Sequence, residues 1–188
     1  MTAFGWISLA TVVVVLVGVA LSVIAIVRHK PWLAVPSAVA ILVIIFCSAQ
    51  ITGLADDASP LAPVVIASIV AASVVAGSPL VALILQLATN DRSRPGVHGG
   101  ILVASLDEKL PAKEVLRGGA TVGYLERVAL IGSVLAGQAA AVAVIVAIKG
   151  LGRFSELESA EARERFIIGT LASLIWAGGC AAAASLWV

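Results

Sequence analysis

A chain of 188 residues that is 61% hydrophobic and only 12% charged has the composition of a protein dissolved in lipid; soluble domains run at about a quarter charged. Its formal net charge of +1 supplies no field to gather a polyanion, which excludes nucleic acid as a partner. The two cysteines (Cys47 and Cys180) and two histidines (His29 and His98) stand apart from one another, so no disulfide, metal or other cofactor is implied.

About 20 apolar residues cross a ~30 Å hydrocarbon core, and this length divides the chain into spans of one transmembrane domain, residues 1–188. The first span, residues 3–27, lacks a basic leader and outruns the apolar core of a signal peptide, so it reads as a retained helix. Arg28, His29, Lys30 and Pro31 end it, and Trp6 and Trp32 fall where interfacial aromatic belts lie. The second span, residues 32–54, carries Pro36 in its first turn, where a missing N–H is harmless. Cys47 and Cys180 sit inside spans and read as small packing residues.

Residues 61–89 are interrupted by Gly77, Ser78 and Pro79. Two readings follow: one helix kinked at Pro79, or a discontinuous pair whose second member starts at Ser78–Pro79. The second requires protein or water around the freed backbone, and its helix terminus would favour an anion. Residues 91–119 are a polar insertion, in which ILVASL reads as strand-like and LPAKEVLR as amphipathic turns opened by Pro111.

The fourth span, residues 120–148, reads as one long helix. Arg127, Gln138 and Lys149 recur every eleven residues, which holds them on nearly one face with the outer two ~33 Å apart. This spacing places Arg127 and Lys149 at opposite interfaces and Gln138 near the bilayer centre. Ser133, Gly137 and Ala141 add a small-residue stripe along which another helix could approach. The face is either a polar pathway or a helix seam with snorkelling basic ends. Glu126 suits a helix N-terminus and Arg127 does not, so Arg127 needs a carboxylate or backbone carbonyls on another segment.

Gly150 and Gly152 then end the helix, a charged crest follows, and Ser159 can cap the fifth span, residues 166–187. Within the crest, Arg153 beside Phe154 is the candidate for an ordered contact. Five simple spans put seven basic loop residues on one side and four on the other, which leaves the orientation of the last two spans open. No internal repeat of the inverted-carrier type is present.

The segments LRGGATVGYLER, KGLGRFSEL, ERFIIGTLASLIWA and AGSPLVALILQLA together resemble a run in uncharacterised bacterial integral membrane proteins of actinobacterial type. The resemblance covers residues 76–180 and implies a shared membrane module without naming an activity. Its polar positions here are Gly123, Glu126, Arg127, Gln138, Lys149, Arg153 and Thr170.

The expected fold is therefore all-α and polytopic, with about five transmembrane helices, one of them kinked or discontinuous at Gly77–Pro79. A multi-pass protein of the plasma membrane this small should work as a homo-oligomer or beside a membrane partner subunit. No GxSxG, HExxH or phosphate-loop motif marks an enzyme, so no catalytic residue is assigned. The expected function is a non-enzymatic permeation or transport module, with Gly77, Ser78 and Pro79 near a path formed by Glu126, Arg127, Gln138, Lys149 and Arg153. The alternatives are a membrane-embedded scaffold or accessory subunit and, third, an enzyme on a lipid-linked substrate.

Overall fold

The computed structural model describes residues 3–51, 60–88, 101–103, 113–115, 118–152, 154, 157 and 160–188. Helices account for nearly all of them: α1 (Ala3–Val27), α2 (Val35–Ile51), α3 (Ala62–Ala88), α4 (Gly119–Leu135), α5 (Ala141–Gly152) and α6 (Ala160–Ser185). A 3-10 turn, Pro31–Ala34, leads into α2. Three helices, α1, α3 and α6, are long and apolar enough to cross a membrane. They coincide with the first, third and fifth expected spans.

Between α3 and α4 lies a small antiparallel ribbon, β1 (Ile101–Val103) and β2 (Lys113–Val115), with Ile101 opposite Val115. The strand expectation for ILVASL holds over its first three residues. Lys113–Val115 was expected to be helical and is extended, because pairing with β1 satisfies its backbone. Pro111 lies outside the described residues.

The core is a layer of small and β-branched residues. Val12 and Val15 of α1, Ile41 and Ile44 of α2, Val65 and Ile69 of α3, Ile131 of α4 and Ala177 to Ala184 of α6 form one cluster. α3 is the central element and packs most heavily on α6 and α1. Lipid is as apolar as these side chains, so close approach rather than the hydrophobic effect must hold the helices. At Gly18 a Cβ would sit 3.1 Å from Ser37 Oγ and 3.2 Å from its Cα. The missing side chain lets Ser37 Oγ donate to Gly18 O at 2.7 Å across the α1–α2 contact, with Ser22 Oγ 2.8 Å from Ser37 Oγ. Across the α3–α6 contact, Trp176 Nε1 donates to Ser73 O at 3.0 Å.

The two cysteines differ: Cys180 is buried as expected, whereas Cys47 is exposed on the outer face of α2. Only the first of them packs.

Of the two readings of residues 61–89, the single helix is the one found: α3 runs unbroken from Ala62 to Ala88 with Pro79 inside it, so Gly77–Pro79 is not a helix terminus. The fourth span, by contrast, is two helices. At its middle Gly137 has φ +73, a left-handed conformation that costs glycine nothing. Gln138 N–H donates to Ser133 O at 2.7 Å and Gly137 N–H to Val134 O at 3.0 Å. This pair of bonds is the Schellman arrangement, which stops a helix and turns the chain. The chain then reverses: Glu126 of α4 meets Lys149 of α5, so α5 returns alongside α4.

At 17 and 12 residues, α4 and α5 are ~25 Å and ~18 Å long, each short of a ~30 Å hydrocarbon core. They form a hairpin that enters the bundle and leaves from the same side. Residues Val81 and Leu85 of late α3 flank Gly169 of early α6, so these two helices are antiparallel. Ala25 and Ala34 cluster with Ala76 and Leu80, so α1 and α3 end on the same side. That side therefore collects the ends of α1, α3 and α5 and the starts of α4 and α6.

Gly18→Leu should separate α1 from α2 and lower stability by ~1–3 kcal/mol, the usual cost of overpacking. Unfolding of the purified protein in mixed micelles, compared with the exposed control Val17→Leu, measures it.

Candidate functional site

Among the described residues Arg127 is the most buried charge, only 3% exposed. It lies eight residues into α4, ~12 Å from the helix start. A bare guanidinium in hydrocarbon would cost ~2.5–3.5 kcal/mol or more. Three groups on two other helices receive it. Nε donates to Val74 O at 3.2 Å and Nη2 to Ser78 Oγ at 2.8 Å, both on α3. Nη1 reaches Ser173 Oγ of α6 at 3.4 Å. The Tyr124 ring lies 5.2 Å from Cζ, one turn back on α4. Hydrogen bonds from a charged group contribute ~1.5–3 kcal/mol each, so two good ones offset most of the insertion cost.

The glycines around this side chain explain its path. A Cβ on Gly77 would lie 2.6 Å from both Cδ and Nε of Arg127, and one on Gly123 would lie 3.2 Å from Nη1. Arg127 thus lies flat across the backbone of α3 where Gly77 has no side chain. Pro79 cannot donate to Val75 O, and Arg127 Nε donates to the neighbouring carbonyl, Val74 O. The Gly77–Ser78–Pro79 group acts as an arginine seat rather than as a helix-terminus anion site. The expectation that Arg127 meets backbone carbonyls of another segment matches Val74.

Glu126 and Lys149 form a hydrogen-bonded ion pair between α4 and α5, and both side chains are largely buried. Lys149 Nζ also lies 5.9 Å from the centre of the Phe166 ring of α6. The eleven-residue stripe does not exist as expected, because the turn at Gly137 folds it in half. Arg127 and Lys149 are brought to one place instead of opposite interfaces. Gln138 is exposed at the hairpin tip and belongs to no polar network with them. Ser133, Gly137 and Ala141 form no seam, since a Cβ on Gly137 would meet nothing within 4 Å. Arg153 lies outside the described residues.

A shallow open cleft, with enclosed room for about one water molecule, separates α5 from α6. α4 is its floor, and α5 leans on α4 without comparable packing on α6. Its polar wall is made by Glu126, Arg127, Lys149, Thr170 and Ser173, and its apolar wall by Leu130, Ile145, Val146, Leu174 and Ala177. Two buried polar atoms on the wall, Glu126 Oε1 and Thr170 Oγ1, have no hydrogen-bond partner. Sequence reasoning quoted Thr170 only within the family resemblance and missed Ser173 as a partner of Arg127. The signal for both is their three-residue spacing on α6, which sets two hydroxyls on one helix face.

Among the described residues no group of His, Cys, Asp and Glu could hold a metal ion. Compared with protein-family models, curated proteins and solved structures, the chain finds no match.

Gly77→Ala should destabilise the bundle by ~1–3 kcal/mol, because the new methyl group occupies the seat of Arg127. In an Arg127→Ala background the same change should be neutral or slightly stabilising, since Ala is the better helix former. A double-mutant cycle on unfolding in detergent checks this, and additive effects would remove Arg127 as the reason for the glycine.

Proposed function

We propose that this chain is a non-enzymatic transport or permeation module of the plasma membrane, and that the cleft between α4, α5 and α6 is its substrate-handling site. The observation that carries the reading is the cleft itself. It lies beside a half-crossing hairpin, at membrane depth, and holds an ion pair, a guanidinium and two unbonded polar atoms. Ionisable groups at such depth are costly and most often line solute or proton paths. Broken or re-entrant helices occur in lipid only where they border protein or a cavity. The bacterial setting follows from the sequence resemblance.

The orientation follows from charge. Every Lys and Arg of the twelve except Arg127 falls, in sequence, within or between the helix ends gathered on one side, from Arg28 to Arg165. The opposite side has Asp56 and Asp57 in sequence and no basic residue. The positive-inside bias makes the basic side cytoplasmic, with both termini outside. The hairpin removes the conflict that five simple spans create, because α4 and α5 enter and leave by the cytoplasmic side.

The apolar outer face of the hairpin fits a module that works as an oligomer: α5 has no buried residue, with Ile148 and Leu151 fully in view. A second reading, a membrane scaffold or accessory subunit, is favoured by one observation. Arg127 has dry partners on two helices and needs no solute to satisfy it.

Single cysteines in a Cys47→Ser, Cys180→Ser background separate the two. With a membrane-impermeant thiol reagent, positions 130, 145 and 174 on the cleft should label, and lipid-facing positions 125, 144 and 175 should not. Protection of all six would favour the scaffold.

A further inference from the structure

We infer that the cleft takes the hydroxyl headgroup of a neutral, long-chain amphiphile, such as a lipid alcohol, which enters sideways from the bilayer. The inference rests on the cleft being the substrate-handling site and names the chemical class of its substrate.

The argument begins with the charges. Glu126 is paired with Lys149, and Arg127 is bonded to α3 and α6, so the cleft has no bare cation waiting for an anion. What it lacks is specific. Glu126 Oε1 is a buried acceptor that receives no donor, and Thr170 Oγ1, on a side chain only 9% exposed, has no partner of either kind. A carboxylate oxygen accepts only, whereas a threonine hydroxyl donates and accepts. One ligand hydroxyl completes both by donating to Glu126 Oε1 and accepting from Thr170. A ligand carboxylate would meet the Glu126 charge, and an aliphatic chain end would leave both atoms unsatisfied at a cost.

The rest of the ligand follows from the wall. Glu126 and Thr170 lie part-way along α4 and α6, and Leu130, Leu174 and Ala177 continue one to two turns further along the same wall. An aliphatic chain lying along that apolar wall fits the arrangement. α5 packs on α4 without comparable packing on α6, which leaves the cleft open between α5 and α6.

The test uses the full chain in phosphatidylcholine nanodiscs that contain a long-chain alcohol with a mid-chain diazirine. The carboxylic acid and the hydrocarbon of the same chain serve as matched probes. After illumination, mass spectrometry should find the alcohol on peptides around Leu130, Ile145 and Leu174 about tenfold more than the hydrocarbon, the factor one hydrogen bond supplies. Thr170→Val should reduce the alcohol to the hydrocarbon's level, and Thr170→Ser should keep the preference. Equal labelling by the hydrocarbon, a preference for the acid, or no effect of Thr170→Val in a folded variant would each overturn the inference. The wild-type comparison of three probes stands even if a variant fails to fold. Cleft positions that accept the thiol reagent yet show no preference for the alcohol would refute this ligand and leave the transport reading intact. Absence of both would remove the two together.

Discussion

A guanidinium buried among apolar helices must find its acceptors in protein, and Arg127 finds them on α3 and α6 at once. That requirement ties three helices together at one depth. It needs Gly77, where a side chain would occupy the space of the arginine, and Gly123 keeps the guanidinium's flank open. The rest of the bundle is held by diffuse packing and by short polar contacts such as Ser37 to Gly18 and Trp176 to Ser73. The arginine contact fixes which residue of α4 faces the Val74–Ser78 turn of α3.

The second constraint is the turn at Gly137. By stopping α4 after 17 residues, it returns the chain to the side it entered from and sets Lys149 against Glu126. Without the turn, α6 would begin on the other side of the membrane and could not lie antiparallel to α3. The cleft is a product of the same geometry. A 12-residue α5 is too short and too apolar to anchor itself across the bilayer, so it rests on α4 and leaves a gap beside α6.

Much of this arrangement is legible in the sequence, and the misses have a physical cause. Hydropathy marks α1, α3 and α6, whose length is set by the bilayer. It also marks residues 120–148, but a hydropathy run measures solubility in lipid and is blind to chain direction. A short hairpin with two apolar arms has the same profile as one long helix. The pair Gly137–Gln138 held the information as a glycine at a helix C-terminus followed by a polar residue. Read as a small-residue seam with a central amide, it gave a stripe ~33 Å long that the fold instead closes on itself. At Gly77–Ser78–Pro79 the sequence left two readings open, because Ser-Pro is a common helix start, and here it lies inside one continuous helix. That Arg127 needs carbonyls on another segment was readable from its depth, but not which segment, because contact partners distant in sequence leave no local pattern.

The direct measurement of the hairpin is the proximity of residues 126 and 149. In a chain freed of Cys47 and Cys180, Glu126→Cys with Lys149→Cys should be joined within one protomer by a short bifunctional thiol reagent. Gln138→Cys paired with Glu126→Cys serves as the unlinked control. A cross-link between 126 and 149 is the predicted result. No cross-link, with both thiols reactive one at a time from opposite sides of the membrane, would mean a single continuous span and would contradict the fold on which the site depends.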